Sequence, residues 1–377
     1  MAPLAARAGP ARRSTMIAAA TTHRVRQTVA ALLLAAAGLS ACSGTTTSAE
    51  QRPPARLGTF QGATGTDGID AFGRWLGRDL DTALTFLDYD TWEDIEGPSW
   101  FVEPWRQWMA AADGRTLVVS VAMLPGPWAD DDVVAGELRA GAAGEYDQHF
   151  RTLARRLVAN GMGGAILRIG WEANGGWYRW RASPDADAWV QYFRRIVDAM
   201  RTIEGSAFTI DWTVSVPVEV RSAVPFYPGD DVVDIVGVDV YDKSWQDDTY
   251  PYPPGANEHE RRLRQDRVWS TILDGGDIGE GLDHWAKFAD EHGKSLSVPE
   301  WGVVDLVDAG EQRGGLDNPS FIDRMADWIE SHPVQYHVYF EWDSGSDGGD
   351  HRLSVADTAF PQAAQAFRRL FGGRSAT

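Results

Sequence analysis

The run Gly164-Ala-Ile-Leu-Arg168-Ile-Gly-Trp171-Glu172 decides the fold. It is apolar apart from two charged residues, Arg168 and Glu172, and the period-two alternation of a strand puts both on one face. A charge within an otherwise apolar strand is tolerated where that face lines the inside of a closed barrel and its mouth. The run therefore predicts a barrel strand with Glu172 emerging at the top.

Seven further runs share this strand character, and all eight alternate with stretches whose apolar residues have helical spacing. Repeated βα units without an internal linker favour an α/β fold in which a single catalytic domain forms a (β/α)8, or TIM, barrel. The predicted strands are residues 57–61, 83–88, 116–123, 164–171, 207–216, 233–241, 295–301 and 336–342. The helices predicted between them include residues 67–78, 100–112, 144–160, 185–204, 281–292 and 319–332.

An open, doubly wound sheet in two domains is the structural alternative. Such a sheet commonly binds a nucleotide at a Gly-rich loop after its first strand. Neither the Gly-x-Gly-x-x-Gly pattern nor the Gly-Lys-Ser/Thr pattern follows the first predicted strand here. The histidines also lack metal-ligand spacing. We therefore expect no cofactor and no catalytic metal.

The charge balance argues against nucleic acid as a partner. The chain has 377 residues, with 54 acidic and 35 basic side chains, and its net charge is −19. Binding to a phosphate backbone requires a basic surface. The 17 tryptophans, by contrast, provide flat apolar surfaces suited to the C–H face of a sugar as well as to a core.

The N-terminal residues indicate export. A basic stretch precedes a short apolar run, and Leu39-Ser-Ala-Cys42 has the form of a bacterial lipobox. We predict a lipoprotein signal peptide at residues 1–41, a lipidated Cys42 with a flexible linker at residues 42–55, and the barrel domain at residues 56–377. The protein is then expected outside the cytoplasm, held to the cell membrane by its lipid. An ordinary signal peptide with a chance cysteine is the alternative.

Two carboxylates end separate predicted strands. Glu172 follows the fourth strand, and Glu300, in Val298-Pro-Glu300-Trp301, ends the seventh. Two carboxyl groups about 5–5.5 Å apart support retaining glycoside hydrolysis, in which one is acid and then base and the other is the nucleophile. The tryptophans around Glu172 would favour its protonated form. Arg168 and Tyr241 are candidates to contact the nucleophile, and Arg168 is also a candidate partner for Asp239.

Three motifs carry a family resemblance. They are Arg168-(x)3-Glu172-x-Asn174-Gly-Gly-Trp177-Tyr-x-Trp180, the stretch from Phe226 to Tyr241, and Pro299-Glu300-Trp301-Gly302. In this order they resemble glycoside hydrolase family 26, a family of retaining (β/α)8 enzymes dominated by endo-β-1,4-mannanases. The resemblance implies that Glu172 is the acid/base, that Glu300 is the nucleophile and that Tyr241 hydrogen-bonds the nucleophile.

The resemblance and the positions after strands also suggest residues that bind the glycan. The resemblance makes β-mannan the first expected substrate. Another β-glycan is left open because Trp171 stands where the family's mannanases usually have His, and Trp301 stands where Phe is common. The alternative substrates are a mixed-linkage β-glucan, a xylan and an envelope polysaccharide. The alternative function is a non-catalytic carbohydrate-binding role. We expect the protein to be a monomer. The candidate substrate-binding residues are Trp128, Arg168, Trp171, Asn174, Trp177, Trp180, Asp242, Trp301 and Trp342.

Overall fold

Eight parallel strands close into a barrel in the computed structural model, which describes residues 53–216, 222–345 and 348–373. The order around the barrel is β1-β10-β7-β6-β5-β4-β3-β2, and pairing of β1 with β10 closes it. The barrel strands are β1 (Arg56–Phe60), β2 (Thr82–Phe86), β3 (Thr116–Val121), β4 (Ile166–Ile169), β5 (Thr209–Val216), β6 (Ile235–Tyr241), β7 (Ser295–Gly302) and β10 (Val334–Phe340). A short hairpin of β8 (Val307–Asp308) and β9 (Glu311–Gln312) lies in the loop after β7.

Ten α-helices accompany the strands in the described part of the chain. Each long helix buries one apolar stripe against the barrel wall, as Trp189, Phe193 and Ile196 of α6 do. The helices are α1 (Thr66–Leu76), α2 (Trp92–Ile95), α3 (Ser99–Ala110), α4 (Asp131–Ala142), α5 (Asp147–Ala159), α6 (Ala186–Arg201), α7 (Glu258–Asp274), α8 (Leu282–Glu291), α9 (Pro319–Ser331) and α10 (Pro361–Phe371).

Two apolar clusters result from the alternation along the strands. The larger lies between the barrel and its helices, and the smaller fills the lumen with side chains that include Leu84, Val118, Ile166 and Val338. Apolar side chains from six strands, with Asp211 of β5 and Ser297 of β7, fill a barrel of this size, so the lumen is a packed core. The reacting groups are therefore confined to its mouth.

The prediction of a (β/α)8 barrel is confirmed, and the doubly wound alternative is excluded by the closed strand order. All eight predicted strands are present. Helices α2, α4, α7 and α10 were not among those predicted. Helix α7 buries only Val268 and Ile272 and is otherwise rich in charge, so it lacks the apolar periodicity that identifies a helix in sequence.

One local prediction was wrong. The fourth strand ends at Ile169, so period-two alternation does not extend to Glu172. Gly170 and Glu172 both have positive φ, at 56° and 52°, and the chain turns away from the strand direction between them. Glu172 reaches the mouth through this turn and not through continuation of the strand.

The predicted signal at residues 1–41, Cys42 and most of the 42–55 linker lie outside the described residues. None of the helices in the described part of the chain combines the length and apolar character needed to span a membrane.

Candidate active site

A strained turn holds Glu172 at the barrel mouth. Its backbone N–H donates to the Thr213 carbonyl of β5 at 2.9 Å, and its own carbonyl accepts from Gly175 N–H at 2.9 Å. The φ of 52° is one that L-residues other than Asn and Asp rarely adopt. Such backbone persists where surrounding contacts over-determine it, and it is concentrated at functional sites.

Apolar and aromatic groups surround the Glu172 carboxyl. Its side chain is buried, and Trp177 Nε1 donates to Oε2 at 3.0 Å. Burial is the largest influence and raises the pKa of Glu172, and the charge of Glu300 raises it further. Lys243 and hydrogen bonds from Ser215 and Trp177 oppose that rise. The balance favours a carboxyl that holds its proton at higher pH than an ordinary glutamate does.

Glu300 has a different environment. It lies within strand β7, at a one-residue register shift against both β6 and β10, and each carboxylate oxygen accepts a hydrogen bond from a buried side chain. Arg168 Nη2 donates to Oε1 at 2.8 Å, and Tyr241 OH donates to Oε2 at 2.7 Å. Burial raises the pKa of Tyr241 well above its usual value, so the phenol stays protonated and donates. These two donors orient the carboxylate and suit its ionised form.

Arg168 connects the nucleophile candidate to the lumen. The guanidinium is fully buried and donates to Asp239, to Ser120 Oγ at 2.9 Å and to Thr213 Oγ1 at 3.2 Å, as well as to Glu300. The predicted pairing with Asp239 is present. A buried guanidinium requires such compensation. Arg168, predicted to contact substrate, is fully buried and holds Glu300 from beneath.

A second polar layer lies below Arg168. Asp211 on β5 accepts from Thr213 Oγ1 at 2.7 Å and from Ser297 Oγ and Tyr336 OH at 2.6 Å each. Thr213 thus joins this layer to Arg168. The hydrogen-bonded column runs from the lumen to Glu300 and holds the nucleophile candidate on a rigid support.

Several of the predicted aromatic platforms are exposed. Trp128, Trp177 and Trp342 expose 57%, 47% and 42% of their surface, and Trp245, which follows β6, exposes 40%. They follow β3, β4, β10 and β6 respectively, and those strand ends surround the mouth. Exposed indole faces beside buried carboxyls form a surface to which a pyranose ring can bind.

Three other residues predicted to contact substrate have buried side chains. Trp180 stacks on Tyr178, with ring centroids 4.4 Å apart, and its Nε1 donates to the Trp171 carbonyl. Trp171 is 1% exposed, and its ring centroid lies 4.5 Å from that of Trp180. Trp301, adjacent to Glu300 on a strand, points to the opposite side and donates to His337 beneath the helices.

Asn174 and Asp242, also predicted to contact sugar, form hydrogen bonds within the protein. Asn174 clasps Ser215 of β5, donating to its carbonyl and accepting from its N–H at 3.0 Å each. Asp242 accepts from Tyr250 OH at 2.7 Å and from Asn318 Nδ2 at 2.8 Å, and burial raises its pKa to about 6. Both side chains have their polar atoms engaged within the protein.

Three residues near the nucleophile were missed. Glu341, directly after β10, accepts from the N–H groups of Leu353 and Ser354 at 2.8 and 2.7 Å and turns the chain back. This return places the His351 ring 4.8 Å from the Tyr241 ring. Lys243 contacts the same tyrosine ring at 4.9 Å. Glu341 is the next-to-last residue of a predicted strand, as Glu300 is, and that position could have identified it.

The acidic segment 343–351 makes defined contacts in its described part. Asp350 exchanges two backbone hydrogen bonds of 3.0 Å with Asp305 in the loop after β7. Arg352 forms ion pairs with both Asp343 and Asp350. These contacts join the loops after β7 and β10 on the nucleophile side of the mouth.

The sequence was compared with protein families and with curated proteins. The family model described as Glycosyl hydrolase family 26 matches residues 152–253, a stretch that contains Arg168, Glu172 and Tyr241 but ends before Glu300. Among curated proteins no significant match was found.

The fold is similar to those of several solved structures. A modular endo-β-1,4-mannanase from Cellulomonas fimi has 19% identity and a TM-score of 0.56, covering 84% of this chain and 70% of its own. A family 26 β-mannanase from Bacteroides ovatus has 15% identity and a TM-score of 0.56, covering 85% and 88%. GH26C from a Muricauda species has 16% identity and a TM-score of 0.54, covering 85% of each chain. At these identities the likeness shows the fold alone. The family match supports the predicted family, and the prediction of a glycoside hydrolase is confirmed.

Proposed function

We propose that this glycoside hydrolase is a retaining, endo-acting enzyme that cleaves a β-linked polysaccharide, with β-1,4-mannan as the first candidate substrate. The observation that carries the proposal is the pair of carboxyls at one mouth. Burial raises the pKa of Glu172, whereas Glu300 accepts hydrogen bonds from Arg168 and Tyr241. Two carboxyl groups in such different environments fit an acid and a nucleophile.

The first step forms a covalent bond to Glu300. A carboxylate oxygen of Glu300 attacks the anomeric carbon, while Glu172 gives its proton to the departing glycosidic oxygen. The electron pair of the broken C–O bond goes to that oxygen. Arg168 and Tyr241 hold the attacking carboxylate in place and remain bonded to it as its charge falls.

The second step releases the sugar. Glu172, now ionised, takes a proton from water, and the water oxygen attacks the anomeric carbon as the bond to Glu300 breaks. Two inversions at one carbon restore the original configuration. Trp177, whose N–H donates to Glu172 Oε2, stabilises the ionised form that acts as base.

The choice of mannan rests on similarity. The solved structures from Cellulomonas fimi and Bacteroides ovatus are described as mannanases. One observation favours other glycans: Trp171, directly before Glu172, is buried against Trp180 and offers no polar group at the mouth surface. A mixed-linkage β-glucan, a xylan or an envelope polysaccharide are therefore the second candidates, with the mechanism unchanged.

The test is product analysis on a panel of mannan, mixed-linkage glucan, xylan and envelope glycans. Proton NMR during the first minutes should show the β-anomer appearing first, and size analysis should show oligosaccharides, as endo cleavage requires. Initial release of the α-anomer would overturn retention. Release of monosaccharides alone would overturn endo action, and binding without turnover on every glycan would favour the carbohydrate-binding alternative.

We further propose that the enzyme is exported and held to the cell membrane by a lipid on Cys42. The proposal rests on the lipobox Leu39-Ser-Ala-Cys42 alone. In cells producing Cys42→Ala, the protein should move from the membrane fraction to the soluble fraction. Continued membrane retention of that variant would contradict the anchor.

A further inference from the structure

Lys243 is a cation without a counter-charge in the described structure. The chain has three lysines. Lys287 pairs with Glu291 at 2.6 Å, and Lys294 donates to the Asp230 carbonyl at 2.7 Å. Among the described residues, Lys243 Nζ has neither a hydrogen-bond acceptor nor a carboxylate within ion-pair distance. Its backbone is held firmly, since its N–H donates to the Tyr241 carbonyl at 2.8 Å and it bridges to Gly314.

The Lys243 ammonium lies at the active-site mouth. Its Nζ is 4.9 Å from the ring centroid of Tyr241, whose hydroxyl contacts Glu300, and 5.8 Å from that of the exposed Trp245. Trp245 is itself anchored, since its Nε1 donates to Asp308 Oδ2 at 2.8 Å. A cation and an aromatic face therefore lie side by side next to the nucleophile candidate.

Other cations on the loops around the mouth are paired. Arg179 pairs with Glu137, Arg181 with Asp131, and Arg352 with Asp343 and Asp350. In a chain with a net charge of −19, carboxylates for such pairing are plentiful. The hydroxyl groups of a neutral glycan need no cation for recognition, so an ammonium with no ion-pair partner among the described residues requires another explanation.

The position of Lys243 also opposes the acid step. Its charge acts on Glu172 and lowers the pKa of that carboxyl, against the rise that burial and Glu300 produce. A bound anion would cancel the charge of Lys243 and restore the protonated acid when substrate arrives. A neutral sugar could not do so.

We propose that Lys243 forms an anion subsite beside Trp245, and that the natural glycan carries an anionic group on a sugar next to the cleaved bond. The group is a carboxylate, as in a uronic acid, or a phosphate or sulfate ester. The inference rests on the proposed glycosidase function, which it extends by naming the charge class of the substrate.

The experiment measures binding separately from cleavage. The probes are β-1,4-manno-oligosaccharides and β-glucan oligosaccharides of one length, each neutral, oxidised at C6 to the carboxylate, or phosphorylated at C6. Calorimetric titration is done with the wild type, Lys243→Met, Lys243→Arg and the surface control Lys287→Met. Wild type and Lys287→Met should bind a charged oligosaccharide roughly 10- to 100-fold more tightly than its neutral counterpart. Lys243→Met should lose this preference, and Lys243→Arg should keep part of it.

The outcomes separate the two proposals. No preference for charge in the wild type, no binding of any probe, or an unchanged preference in Lys243→Met would overturn the anion subsite. Preference for the carboxylate over the phosphate, or the reverse, identifies the source of the anion. Charge-selective binding without cleavage of any glycan would leave the subsite standing and overturn the hydrolase mechanism. On a neutral substrate, Lys243→Met should move the alkaline limb of the pH profile upward, which a merely structural role would not do.

Discussion

The two sides of the mouth hold chemically identical groups in opposite ways. On the β4 side, a turn with positive φ presents Glu172, and the neighbours of its carboxyl include tryptophan rings. On the β7 side, a strand with a one-residue register shift presents Glu300 to a guanidinium and a phenol, supported by the polar column down to Asp211. In the proposed mechanism, these different surroundings give the two carboxyls different roles.

The difference also concerns rigidity. Glu300 is placed by strand geometry and by two donors on neighbouring elements. Glu172 is placed by a hydrogen bond from its backbone N–H to the Thr213 carbonyl of β5. The side-chain amide of Asn174 adds two hydrogen bonds to the backbone of Ser215 on the same strand. The nucleophile side should therefore respond to loss of charge partners, and the acid side to changes in burial and hydrogen bonding.

The largest effect should follow removal of the nucleophile. Glu300→Ala should reduce kcat by about 10⁴-fold or more, because no covalent intermediate can form. Azide should then restore turnover by attacking in place of the carboxylate, giving a glycosyl azide of inverted (α) configuration, measurable by NMR. Unchanged kcat, or rescue that yields the β-azide, would reverse the assignment of the two sides.

Removal of the acid should have an effect that depends on the leaving group. Glu172→Ala should reduce kcat/KM by about 10²- to 10⁴-fold for a poor leaving group such as a sugar. An activated aryl glycoside, which needs little protonation, should lose far less. Paired measurements on these two substrates check the role, and equal losses on both would argue against Glu172 as the acid.

Loss of Arg168 should expose the dependence of the nucleophile side on charge. Arg168→Met leaves Asp239 and Glu300 without their shared cation in a buried site, which should lower the free energy of unfolding by about 3–5 kcal/mol. Denaturant titration measures this. Arg106→Met, which removes an exposed ion pair with Glu103, is the control and should change stability far less, because water screens that pair. Similar decreases in the free energy of unfolding for the two variants would show that the buried ion pairs of Arg168 are not needed for stability.

The smallest effect should come from the acid side. Trp177→Phe keeps the ring but removes the N–H that donates to Glu172 Oε2. That hydrogen bond favours the ionised form, so its loss should raise the pKa of Glu172 and move the alkaline limb of kcat/KM to higher pH. The maximal rate should stay within about tenfold of wild type. Trp100→Phe, exposed on α3, is the control and should leave the limb in place. A downward shift in Trp177→Phe would contradict the role of this bond.

Much of the barrel could be predicted from local patterns, but the side on which Glu300 lies could not, because strand β7 shifts register against both neighbouring strands just before Trp301. Strand count follows from eight apolar runs. The helices with a continuous apolar stripe, such as α6, were predicted for the same reason, whereas the charge-rich α7 was not. Local patterns did not predict which tryptophans are exposed, because composition does not distinguish the exposed Trp128 from the buried Trp180.

The order of residues along each strand thus determined the closed barrel and the edge at which its carboxyls emerge, because both depend on a periodicity that neighbouring residues carry. Only the tertiary structure decided the turn that presents Glu172, the sharing of Arg168 between Asp239 and Glu300, and the approach of Lys243 and His351 to one tyrosine. These depend on contacts between segments far apart in the chain, where the favoured partner is set by packing and by compensation of buried charge and not by local spacing.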